Sequence, residues 1–115
     1  MTLNEMPGSH VVTYDQFWQR YIRAHAQRNT RALHYTGSML ALATLLLAIG
    51  TFDWRWLIAV PVIGYGFAWT AHFVIEGNRP ETFGHPFWSL YSDYRMLLLA
   101  LTFRLTPHLH RAGLR

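Results

Sequence analysis

The chain has no cysteine among its 115 residues and no lysine, so all ten of its basic residues are arginine. The first absence excludes disulfides, thiolate metal sites and cysteine nucleophiles. The second excludes catalysis through a lysine Schiff base. Charge of either sign is scarce. Charged residues make up 14% of the chain and hydrophobic residues 51%, where an ordinary soluble domain is about a quarter charged. There is no glycine-rich phosphate loop, nucleophile elbow or CxxC pair, and the paired carboxylates of a glycosidase are not evident. No stretch shows the alternation of a strand, so the expected fold class is all-α.

What is present is a long apolar middle. Between Thr36 and Ile75 the only formal charges are Asp53 and Arg55. The run Thr36–Phe52 lies near the lower limit for crossing a bilayer, about 17 residues, and Trp56–Ile75 is comfortably long enough. "GTFDWR" (50–55) supplies a turn, with Trp54 and Trp56 placed as aromatics are at a bilayer surface. The pattern predicts a central two-helix transmembrane hairpin, with helices over about 30–49 and 54–76. Pro61, Gly64 and Gly66 lie inside the second helix, where such residues kink it or permit close packing.

The flanks are more polar. Residues 1–13 contain Pro7, Gly8 and Ser9, lack the apolar core of a cleavable signal and are expected to form a flexible arm. "YDQFWQRYIRAHAQ" (14–27) puts Phe17, Tyr21, Ile22 and His25 on neighbouring helical positions, an amphipathic helix suited to a membrane interface. "RNT" (28–30) is expected to break the helix, with Asn29 or Thr30 capping the next. Pro86 is placed to open a fourth, partly apolar helix over about 86–105. Its late apolar run is too short to span, which suits a surface-lying or re-entrant helix, or one packed on the hairpin. The expected organisation is therefore an arm (1–13), a single helical membrane domain (14–105) and a loose basic tail (106–115).

An isoelectric point near 10 does not point to nucleic acid, because the arginines flank apolar segments and form no dense basic run. Anionic lipid headgroups suit them better. Arg20, Arg23, Arg28 and Arg31 precede the hairpin, Arg79, Arg95, Arg104, Arg111 and Arg115 follow it, and its turn holds only Arg55. Both termini are therefore expected to be cytoplasmic, at the inner membrane if the source is bacterial.

That topology gathers ionisable groups. His34 lies 19 residues before Asp53 and His72 lies 19 after it, so antiparallel helices would set both imidazoles at one height, about 28 Å from the turn. His25 feeds into the same end, and a break after it lets the first helix fold back. His72 and Glu76, four apart, share a face. Imidazoles beside a carboxylate suit Fe, Zn, Cu or Ni. The plainer reading makes each histidine an interfacial polar residue bonded to a backbone carbonyl, although ionisable groups in membrane segments are functional candidates. A carboxylate at a helix C-terminus opposes the dipole, so Glu76 calls for a partner such as Arg79, a histidine or a metal. Asp93 has a similar role open to it, or pairing with Arg95 or Arg79. His10, His108 and His110 fall in the tails and are expected to carry no function, and His85 is ambiguous.

Three strings, "RNTRALHYTGS" (28–38), "GYGFAWTAHFVIEGNRPETF" (64–83) and "PFWSLYSDYRM" (86–96), resemble the small membrane-protein family of yeast 2-hydroxy fatty acid dioxygenase. The likeness covers about residues 14–100. It implies an Fe(II)-dependent α-oxidation, in which a 2-hydroxy fatty acid and O2 give the one-carbon-shorter acid and CO2. On that resemblance His25, His34 and His72 are the iron ligands, and Glu76, Asn78, Arg79 and Asp93 match further motif positions. Glu76 would be a fourth ligand or a base behind the ligands, Arg79 would hold the substrate carboxylate, and the acyl chain would lie along the hairpin. The implied partners are the hydroxy acid, O2 and membrane lipid, without nucleic acid, and a homo-oligomer is compatible with the pattern. Two departures stand out: Glu81 where many relatives carry a small residue, and His85 where an aromatic is usual. The chain is also shorter than the fungal members. The alternatives are a non-catalytic membrane scaffold or lipid-binding protein, and a zinc hydrolase.

Overall fold

The computed structural model describes residues 13–114. The expected arm, with His10, lies outside them apart from Thr13. Among the described residues every regular element is helical, in keeping with the all-α reading. Contacts gather into two units, one from Met1–Ala26 with Glu81–Arg115 and the other from Gln27–Pro80.

The first unit begins with α1, Tyr14–Arg23, started by a reciprocal cap. The Gln16 amide donates to Thr13 Oγ1 and the Thr13 amide to Gln16 Oε1, both at 3.2 Å. Such a box satisfies amides that a helix start leaves without partners. The face expected to meet a membrane interface is instead buried: Phe17, Trp18, Tyr21 and Ile22 are all enclosed, within a unit where α1 packs on α4 (Pro86–Leu101) and α5 (Thr106–Arg111). The helix also ends earlier than expected, at Arg23 rather than near Gln27.

Pro86 does open α4, at the first turn, where its missing N–H costs nothing. Over its first half the polarity of α4 is inverted relative to a water-soluble helix, whereas Met96 and Leu97 are buried in its second half. Ser89, Ser92 and Asp93 point inward, while Phe87, Leu90, Tyr91, Leu98 and Leu101 point out. The inward groups find partners: Ser92 Oγ meets the Tyr14 hydroxyl at 2.8 Å, and the Tyr21 hydroxyl donates to Asp93 Oδ1 at 2.6 Å. The tail expected to be loose is not. Residues 106–111 form α5, with Leu105, Leu109 and Ala112 buried, Trp18 Nε1 donating to His108 Nδ1 at 3.1 Å and Arg111 paired with Asp15. Glu81 is explained as well. In the 3₁₀ turn Glu81–Phe83 it accepts two bonds from Arg20, at 3.0 and 2.8 Å, a fork that ties this turn to α1.

The second unit is built from α2, Arg28–Thr51, and α3, Arg55–Thr70, which continues into a π-helical segment, Ala71–Glu76. Both stretches, Arg28–Thr51 and Arg55–Glu76, are long and apolar enough to cross a membrane. Asp53 holds the turn between them by accepting from the Arg55 amide and guanidinium. Rising numbers on α2 meet falling numbers beyond it: Thr30 bonds Glu76, His34 lies by His72, Gly37 by Phe67 and Ala41 by Gly64. Neither Asn29 nor Thr30 caps α2; Gln27 is the capping residue and makes no side-chain cap bond.

Close approach at Gly37 rests on its lacking a side chain, since an added Cβ would collide with that of Phe67, whereas Gly66 has open space. Gly37→Ala is expected to destabilise the fold by about 1–3 kcal/mol through overpacking. Gly66→Ala should be neutral or stabilising by up to about 1 kcal/mol. Thermal melts of the two variants in one detergent check this, and equal midpoints would contradict it.

Candidate metal centre

His34 lies one turn beyond Thr30 on α2 and is buried; His72 lies in the π-helical segment and is also buried. Their rings stand 5.9 Å apart, nearly perpendicular at 83°. The π segment uses a wider turn than an α-helix, a feature often found at functional sites. The segment closes on Gly77, which takes the left-handed conformation (φ 78°), and the amides of Gly77 and Asn78 both bond the His72 carbonyl. That reversal carries Asn78 back to its neighbour, so that Asn78 Oδ1 meets His72 Nδ1 at 2.8 Å. An amide oxygen only accepts, so Nδ1 carries the proton and Nε2 keeps its lone pair.

His25 reaches the same chemical state by another route. It follows α1, fully buried, with Nδ1 at 2.6 Å from the Tyr21 carbonyl. A carbonyl likewise only accepts, so Nε2 of His25 is left as a ligating nitrogen. Metal-binding histidines are commonly oriented this way, through the ring nitrogen that does not touch the metal. His25, His34 and His72 make up a buried three-histidine cluster that could bind a metal ion. The donor set fits: three imidazoles without thiolate suit zinc, copper, iron or nickel. Three protein ligands also leave coordination positions open to exchangeable groups.

The other expected residues have these contacts. Glu76 is not in that cluster. Its Oε2 accepts from Thr30 Oγ1 at 2.6 Å and from the Gln27 amide at 3.2 Å, at the start of α2. Asp93 accepts from Tyr21. Arg79 is exposed in the loop after Gly77. His85 stacks on Trp88 and meets Phe17 edge-on, and His108 packs against Trp18, while His110 is exposed. Tyr21 was not legible as a site residue, because the spacing that joins its carbonyl to the His25 ring exists only where the helix stops.

Burial pushes the Asp93 carboxyl up to about 7 from an ordinary 3.8, against the opposing pull of the Tyr21 hydroxyl. The folded chain therefore keeps a proton that the unfolded chain has released across this window. Stability should fall as pH rises from about 4 to about 7, by at most about 4 kcal/mol, and level off above. Chemical denaturation at several pH values checks this, and Asp93→Asn should flatten the slope.

Searches for similar curated proteins and solved structures give no match. A family model does match, over residues 11–105, and its description is 2-hydroxy-palmitic acid dioxygenase Mpo1-like. That span takes in all three histidines, both long apolar helices and α4. The chain therefore belongs to the 2-hydroxy-palmitic acid dioxygenase Mpo1-like family.

Proposed function

We propose that this protein is an Fe(II)-dependent dioxygenase that shortens 2-hydroxy fatty acids by one carbon. The observation that carries the reading is the buried three-histidine cluster in a member of a family named for that activity. The reaction balances without an external reductant: R–CH(OH)–COOH and O2 give R–COOH, CO2 and H2O. The bond between the carboxyl carbon and the carbinol carbon breaks, and the substrate supplies all four electrons that O2 takes up. Iron, when bound, supplies open positions for O2 and the hydroxy acid.

The chain's own residues hold and orient. His25 and His72 bind through Nε2, their tautomers fixed by the Tyr21 carbonyl and by Asn78, and His34 completes the set. Glu76 acts from behind the ligands, by fixing the start of α2 against the segment that bears His72. Arg79, which extends from the adjoining loop, supplies a guanidinium for the substrate carboxylate. Asp93 acts through Tyr21 rather than on the substrate. The two long apolar helices form a transmembrane hairpin, and their outward leucines, isoleucines and tryptophans meet lipid and acyl chain. The predominance of exposure over burial along both spans supports lipid contact over a place in a water-soluble core. The outward apolar face of α4 supports an interfacial position for that helix.

Protein purified anaerobically in detergent is expected to carry about one iron per chain and to consume O2 with a 2-hydroxy fatty acid, releasing CO2. His72→Ala should lose both the iron and at least about 100-fold in turnover. Undiminished turnover in His72→Ala would remove the ligand assignment. Absence of metal in the wild type after Fe(II) reconstitution would favour a lipid-binding scaffold, and zinc in place of iron, without O2 uptake, a hydrolase.

A further inference from the structure

His25 occupies the break between α1 and α2, where no helical backbone aims its side chain. In a continuing α-helix the His25 amide would bond the Tyr21 carbonyl. Here it bonds the Ile22 carbonyl instead, at 3.0 Å. The Tyr21 carbonyl meets the His25 ring, at 2.6 Å from Nδ1. This contact, just past the end of α1, sets the His25 tautomer.

Tyr21 in turn is held on several sides. Its ring lies 4.2 Å from the His25 ring and stacks on Trp18 at 5.7 Å and 10°. Trp18 is covered by the Arg95 guanidinium, 4.1 Å from its ring centroid. At the far end the Tyr21 hydroxyl donates to Asp93 at 2.6 Å, and the whole residue is 1% exposed. A buried tyrosine–carboxylate pair is costly where only packing is required, since a phenylalanine facing an aliphatic residue would fill the same space.

Building on the metal-centre reading, we infer that Tyr21, anchored through its hydroxyl on Asp93, is the positioning residue for His25. Its carbonyl fixes the ring nitrogen that carries the proton, its aromatic face fixes the ring plane, and Asp93 sets the position of both. Tyr21 touches neither substrate nor metal in this role.

Cobalt(II) titrated into the metal-stripped full-length chain in detergent tests this without turnover, through its visible absorption bands. Tyr21→Phe keeps the ring and the carbonyl but loses the anchor. It should bind cobalt about 10–100-fold more weakly and with altered bands. If Tyr21→Phe does not fold, the double variant Tyr21→Phe/Asp93→Leu removes both members of the hydroxyl–carboxylate bond together and should fold, yet show the same weakened binding. Wild-type affinity and bands in either folded hydroxyl-less variant would overturn the inference and leave the metal centre standing. No cobalt binding by the wild type itself would overturn both.

Discussion

The Glu76 carboxylate is the contact on which the arrangement of the second unit turns. At the end of its own helical segment it faces the negative pole of the peptide dipoles. Across the pair, however, it reaches the start of α2, where amides lack partners and the pole is positive. There it takes the Thr30 hydroxyl and the Gln27 amide. The same carboxylate that is misplaced on one helix is well placed for the other. This contact also sets the register. Four residues on from Thr30 comes His34, four residues back from Glu76 comes His72, and the two rings meet. Gly37 lets the helices approach closely enough for that register to continue to Phe67.

The first unit solves a different problem, that of a helix with its polar residues inside. Ser89, Ser92 and Asp93 on α4 are buried and their hydrogen-bonding partners come from Tyr14, Tyr21 and Thr82. The outward face holds Phe87, Leu90, Tyr91, Leu98 and Leu101. In water this inversion would be unfavourable on both faces. The surface pair Arg111–Asp15, about half exposed on both sides, contributes little by comparison, about 0–1 kcal/mol.

For chemistry, the decisive point is how the imidazoles are oriented. A histidine that donates through Nδ1 is committed to binding through Nε2, and two of the three are committed by acceptors close to them in sequence. Both contacts form where a helix stops: Asn78 is turned back by Gly77, and the His25 ring meets the Tyr21 carbonyl just past the end of α1. Of the nearby carboxylates, Glu76 accepts from Thr30 and Gln27 at the start of α2 and Asp93 accepts from Tyr21.

Much of this was legible in the residues themselves. Helical class, the two long apolar helices, the turn at Asp53 and the start of α4 at Pro86 follow from local periodicity, residue rise and backbone geometry, which do not depend on distant neighbours. Even the meeting of His34 and His72 follows from equal counts either side of Asp53. Other features depend on contacts through space, which spacing does not encode. The early end of α1, the burial of its aromatic face, the folded tail, the partner of Glu76 and the inward polar face of α4 are of this kind. So are the π segment and the anchoring of Tyr21, because each is settled by which donors and acceptors remain unsatisfied once the helices have packed.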